Sequence, residues 1–252
     1  MGLFKKKAKT YSYDKERMKP VIKTSICTGE QVAGFKDIHT GKIEDIMLVK
    51  TAADIERFKK IYGIERVLEM ENIMELQNVL NNRRSMRNYD AAKKVTKEQV
   101  ETIINAAILA PSWKNLQTSR YYCILSDEKI EEFRQKCLPE FNQKNAEGAA
   151  LVVATFVKGC VGFDRLSGEP VNECGNGWGY YDLGLQNENF VLKAKELGLD
   201  TLIMGIRDGE AIRNFLDVPE NEQVVSVIAV GYGAKDVQMP KRKSVSEIAK
   251  FY

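Results

Sequence analysis

The chain has 252 residues, 44% hydrophobic and 29% charged, which suits one large domain or a domain with an appendage. Its single histidine, His39, excludes a Ser-His-Asp or Cys-His site anywhere else and any zinc site built on two histidines. The net charge of +3 falls close to neutral once Lys5, Lys6, Lys7 and Lys9 are set aside, so the body lacks the basic footprint of a nucleic-acid-binding domain.

Residues 1–10 read as a basic, solvated tail. A myristoylation signal would need Ser or Thr at position 6, where Lys6 stands. Residues 11–66 read as a small β-rich module. Val21–Ile26 and Gln31–Ile38 are strand candidates, and His39-Thr40-Gly41-Lys42 supplies a turn before the return strand Ile43–Val49. His39 is thereby placed in an exposed turn. Thr51 caps a short helix whose apolar positions Ile55, Phe58, Ile61 and Tyr62 recur at helical spacing, and Gly63 stops it. Three strands and one helix are marginal alone, so the module is expected to pack on the rest of the chain or on a partner.

The second part, residues 67–252, has clearer elements. Ile73, Leu76, Val79 and Leu80 mark a helix leading into Arg83-Arg84-Ser85. Thr96 and Gln99 form a capping box ahead of the stripe Val100, Ile103, Ile104, Ala107 and Ile108, with Pro111 as the stop. Arg120–Leu125 is a strand, and Asp127 caps a helix carrying Ile130, Phe133 and Cys137. Ala150–Val157 is almost continuously apolar, as a strand covered on both faces would be.

Gly159–Gly179 reads as a glycine-rich loop. A long helix runs from Asp182, taken as its capping residue, to Gly198. Thr201–Met204 is a strand, Glu210–Leu216 a helix and Val224–Val230 the last strand. Helices and strands alternate loosely, so the class is α+β or mixed α/β.

The five cysteines include no C-x-x-C pair, which removes zinc-ribbon, ferredoxin and thioredoxin readings. Their odd number and the lack of a signal peptide suggest a cytoplasmic setting. No apolar run approaches the roughly 20 residues that span a bilayer. Cys160 and Cys174 flank one loop, either as a redox pair or as two unrelated thiols. No G-x-G-x-x-G follows a strand and there is no P-loop; the spacing of Gly175, Gly177 and Gly179 fits a loop.

Three segments carry chemistry. Arg83-Arg84-Ser85-Met86-Arg87 gathers three arginines and a hydroxyl. One or two arginines would suit a solvated helix end, but three point to an anion, and phosphate matches bidentate arginine geometry. Ala110-Pro111-Ser112-Trp113-Lys114-Asn115-Leu116-Gln117 is polar beyond what a connector needs. Its Ser, Asn and Gln donate and accept as a heteroaromatic ring with carbonyl and NH edges requires. Pro240-Lys241-Arg242-Lys243 alone is an ordinary basic tail.

Together these segments resemble the nitroreductase family of flavin enzymes. The resemblance runs from Glu71 to Tyr252. It rests on RRSMR at 83–87, APSWKNLQ at 110–117, KELGLDTLIMG at 195–205, VPENEQVVSVIAVGYG at 218–233, and PKRK with Glu247-Ile248 downstream. RRS-x-R and KRK…EI also look like the iodotyrosine-deiodinase-like branch.

The resemblance implies an α+β fold with a central mixed sheet flanked by helices, and a homodimer with FMN in the interface. Arg83, Arg84 and Arg87, with Ser85, would hold the phosphate and pyrimidine edge. Pro111, Ser112, Asn115 and Gln117 would come from the partner subunit. Ile203, Met204 and Gly205 would run past the ring, and Lys241, Arg242 and Lys243 would close on the phosphate. NAD(P)H would be the donor and a nitroaromatic, quinone or other electron-poor ring the acceptor. The flavin carries the redox chemistry, so no catalytic side chain and no metal is called for.

Reductive dehalogenation, a biosynthetic reduction, or a flavin-binding interaction protein are the alternatives. Two departures bear on substrate and donor preference: Thr118 follows Gln117 where the family often has Pro, and Met204 stands where many members have Glu. Trp178, Tyr180 and Tyr181 either wall the substrate pocket or pack on the partner.

Overall fold

The computed structural model describes residues 11–24, 30–38, 43–64, 67–70 and 76–252, with the backbone alone for Leu68–Met70. The proposed turn at His39–Lys42, Cys27, Ile73 and the tail 1–10 lie outside the described residues. The chain divides into two compact units, Met1–Leu76 and Gln77–Tyr252.

In the first unit, β1 (Met18–Thr24), β2 (Gln31–Asp37) and β3 (Ile43–Val49) pair antiparallel. Helix α1 (Ala52–Tyr62) starts where the Asp54 carboxylate accepts the Thr51 N–H at 2.9 Å. The sequence did not signal β4 (Leu68–Met70), which adds to β1 in parallel and makes the order β3-β2-β1-β4. Ile22, Ala33, Phe35, Val49, Phe58 and Ile64 form this unit's own core.

Helix α2 (Leu76–Asn82) begins at the boundary between the units; α3 (Lys97–Ala107) follows, and its capping box closes as the sequence predicts: Thr96 Oγ1 accepts the Gln99 N–H at 3.3 Å. Then come β5 (Ser119–Ile124), α4 (Asp127–Cys137), α5 (Glu140–Asn145) and β6 (Ala150–Val157). Helix α6 (Gly177–Glu196), β7 (Asp200–Met204), α7 (Gly209–Leu216), β8 (Glu222–Gly231) and the short α8 (Val245–Ile248) complete it. The sheet has the order β5-β6-β8-β7 with antiparallel neighbours; a parallel bridge from Ser85 to Thr201 extends it beyond β7.

Strand β6 is central, and its alternate residues feed two cores. Leu151 and Val153 pack with Phe133, Cys137 and Ile212 on one face, while Val152 packs with Ile103, Phe190 and Ala194 on the other. The unit is therefore three layers, helices against both faces of the sheet, as the α+β reading requires.

One boundary needs correction. Helix α6 begins at Gly177, so Asp182 sits in its second turn and is not its cap, and Trp178–Tyr181 are helical. Glycines at 177, 179 and 184 hide the helix from a propensity reading. Tertiary packing supplies what propensity lacks: Gly179 lies so close to Phe156 that any side chain there would overlap the ring.

Candidate functional site

The arginine segment is shaped by its two ends. The Arg83 N–H donates to Val79 O at 2.8 Å and closes the last turn of α2. The chain then extends along β7, with the Ser85–Thr201 bridge and the Met86 N–H on Thr201 O at 2.9 Å. Extended backbone alternates its side chains, so Met86 is buried while Ser85 and Arg87 face out.

Among the described residues no carboxylate pairs with Arg83, Arg84 or Arg87. Arg84 Nη1 donates to Arg83 O at 2.8 Å and Arg87 Nη1 to Ser85 O at 3.3 Å. Arg84 Nε is buried with no acceptor. Such an orphaned donor costs about 1–3 kcal/mol, and it fits a site in which an anion, such as the phosphate of FMN, completes the set.

Strand β7 puts Leu202 and Met204 into the core and leaves Ile203 46% exposed, with Gly205 exposed after it. The Met204 side chain thus belongs to the core, and only its backbone is available to border a ligand.

The loop 111–117 is held in an unusual shape. Trp113–Asn115 make one turn of 3-10 helix. Lys114, Asn115 and Gln117 have φ of 48°, 56° and 49°, left-handed values at three residues that are not glycine. Each costs roughly 1–2 kcal/mol and survives only where surroundings enforce it; such strain gathers at functional sites.

The enforcing bonds are visible. Ser112 Oγ accepts the Gln117 N–H at 3.2 Å, and Ser112 O accepts the Asn115 N–H at 3.0 Å. Asp182 Oδ2 accepts the Trp113 N–H at 2.8 Å. Arg120 Nη1 donates to Gln117 O at 2.9 Å. Pro111, Lys114, Asn115 and Gln117 meanwhile remain exposed. Next to the loop, Thr118 Oγ1 and Ser119 Oγ are buried without partners.

These pieces do not meet within one chain. The arginines and Ile203–Gly205 gather at the β7 edge of the sheet, and the loop leads into β5 at the other edge. Three strand spacings separate those edges, about 14 Å. The row of Ser119 runs through Phe156 to Gln223, and that of Thr201 to Val230; their offset along β8 is about 23 Å. Lys241, Arg242 and Lys243 lie on an exposed C-terminal arm that leaves the body after the Ala234 N–H donates to Asn88 O. Arg242 Nη1 donates to Pro240 O at 3.3 Å.

Sequence reasoning took Asp182 for a helix cap. The signal that it has another task was the spacing of Trp178, Tyr181 and Asp182, which puts them on one helix face. Trp113 stacks on that face, with its ring centroid 4.9 Å from Trp178, which lies 5.8 Å from Tyr181.

The second unit is thus a three-layer α+β unit with an arginine segment on one sheet edge and a strained polar loop on the other. The profile of the nitroreductase family matches residues 80–232, and the chain belongs to that family.

A Bacillus subtilis (strain 168) protein named as an NAD(P)H nitroreductase, MhqN, is 25% identical over 205 residues, covering 68% of this chain and 96% of its own. An Archaeoglobus fulgidus protein named as an NADH dehydrogenase/NAD(P)H nitroreductase is 30% identical over 159 residues, 60% of this chain and 80% of its own. Among solved structures, a Staphylococcus epidermidis protein described as an NAD(P)H:FMN oxidoreductase superposes with a TM-score of 0.61 at 23% identity, covering 73% of this chain and 98% of that one. A nitroreductase structure from Exiguobacterium sibiricum, in complex with FMN, gives 0.58 at 21% identity, covering 72% and 99%.

Proposed function

We propose that the protein is an FMN-dependent oxidoreductase that passes electrons from NAD(P)H to a small electron-poor acceptor, a nitroaromatic or quinone. The observation that carries this reading is the arginine segment. Among the described residues its three guanidinium groups have no carboxylate partner, one has a buried orphaned Nε, and the segment's backbone is bridged to β7 at Ser85–Thr201. When bound, FMN supplies the hydride and electron chemistry.

The chain's own residues bind and orient. Arg83, Arg84 and Arg87 hold the phosphate and stabilise negative charge on the pyrimidine edge. Gly205, with no side chain, leaves its backbone open to the ring. Pro111, Ser112, Asn115 and Gln117 border the ring from a second copy, because one chain keeps them at the far edge of its sheet. The protein therefore works as a homodimer, with Lys241, Arg242 and Lys243 reaching the phosphate from the exposed arm. Free, exposed thiols at Cys160 and Cys174 suit a reducing, cytoplasmic setting.

The test is spectroscopic. Protein reconstituted with FMN should be yellow, and anaerobic NADH or NADPH should bleach it, with colour returning on addition of a quinone. Protein that takes up no FMN would overturn the reading, and protein that binds FMN but resists both donors would leave only a flavin binder.

A further inference from the structure

The strained loop needs a restraint, and α6 provides it. Asp182 is 4% exposed, and among the described residues no cation pairs with it. A buried carboxylate without a cation is costly, and this one accepts a single hydrogen bond from outside its own helix: the Trp113 N–H, at the start of the loop's turn.

One helical turn before it, Trp178 is itself fixed. Its Nε1 donates to Asn172 Oδ1 at 2.9 Å, and Gly162 sits where a Cβ would come within 2.5 Å of the indole. Trp113 rests on that immobilised ring. Backbone and side chain of Trp113 are thus both held by α6, and the next residues, Lys114 and Asn115, are left-handed.

We propose that Asp182 is a positioning residue: its carboxylate, with the Trp178 ring beside it, holds the loop 112–117 in the shape that borders the flavin. What the Trp113 N–H needs at this position is an acceptor oxygen, which a carboxylate or a carboxamide supplies. The inference rests on the proposed function for what the loop borders, but not for the restraint itself.

The test compares Asp182→Ala with Asp182→Asn, which keeps an acceptor oxygen. FMN affinity is read by quenching of flavin fluorescence. Loop order is read by tryptic cleavage after Lys114, measured against cleavage after Lys158. Asp182→Ala should weaken FMN binding at least tenfold and raise cleavage at Lys114 selectively, and Asp182→Asn should recover most of both. If Asp182→Ala does not fold, Trp178→Leu removes the ring contact with Trp113, together with the bond to Asn172, leaves the Asp182 carboxylate in place, and should show the same selective cleavage.

Unchanged cleavage at Lys114 in a folded Asp182→Ala or Trp178→Leu protein would overturn the proposal. So would equal losses in Asp182→Ala and Asp182→Asn. Failure of the wild type to bind FMN would sink the proposed function instead, and the cleavage readout would still decide the role of Asp182.

Discussion

Ser85 and Thr201 form a parallel bridge, and the neighbouring Met86 N–H donates to the Thr201 carbonyl at 2.9 Å. This contact lays the arginine segment that follows α2 along β7, the strand that carries exposed Ile203 and leads to exposed Gly205. It also buries Arg84 Nε without an acceptor. Arg84→Ala should therefore weaken FMN about tenfold to a hundredfold while leaving the flavin-free protein at least as stable, because an orphaned donor is removed. Titration calorimetry and thermal unfolding with and without FMN check both halves.

The first unit has its own core around Phe35 and Phe58, whose ring centroids are 5.5 Å apart. The family match begins at residue 80, after this unit. A chain lacking residues 1–70 should fold and bind FMN with unchanged affinity. A folded, flavin-free product would show that the module helps build the site.

Gly179 lies against Phe156, which is 1% exposed and has no room to retreat. Gly179→Ala should lower stability by about 1–3 kcal/mol through overpacking, despite alanine's better helix propensity of about 1 kcal/mol. Adding Phe156→Leu should recover part of that loss, so a double-mutant cycle in urea reads the contact directly.

Thiol reactivity should divide by burial. Cys160 and Cys174 are exposed, whereas Cys137 is fully buried and burial pushes its thiol up to about 11. The thiolate is the nucleophile, so at pH 8 iodoacetamide should label Cys160 and Cys174 quickly and Cys137 only on unfolding. Raising the pH toward 11 would increase Cys137 labelling if opening admits the reagent. Peptide mapping reads each site.

Much of this was legible in local pattern. The Thr96–Gln99 capping box and the apolar run of β6 placed α3 and the central strand because each signal is complete within a few residues. The strand β4 was missed because three residues pairing with a distant strand leave no periodicity. Helix α5, at six residues, was missed for the same reason.

The residues of the arginine segment and of the loop could be named from composition, but their relation could not. That the two stand on opposite sheet edges follows from strand order, which no local spacing encodes. Nor did anything in Lys114, Asn115 or Gln117 announce left-handed backbone, since none is glycine. Asp182 is the sharpest case. A carboxylate near a glycine-rich helix start looks like a cap until the helix is seen to begin five residues earlier.

The central claim is that one flavin site takes its arginines from one chain and its polar loop from another. Two variants test it: Arg83→Ala with Arg84→Ala, and Asn115→Ala with Gln117→Ala, each expected to lose FMN. In a mixed dimer one site carries both defects and the other carries neither. Unfolding and refolding the two together should therefore restore FMN binding and NAD(P)H-driven bleaching to about a quarter of the wild-type level, given random pairing. Refolded mixtures with no more flavin than either variant alone would contradict the account.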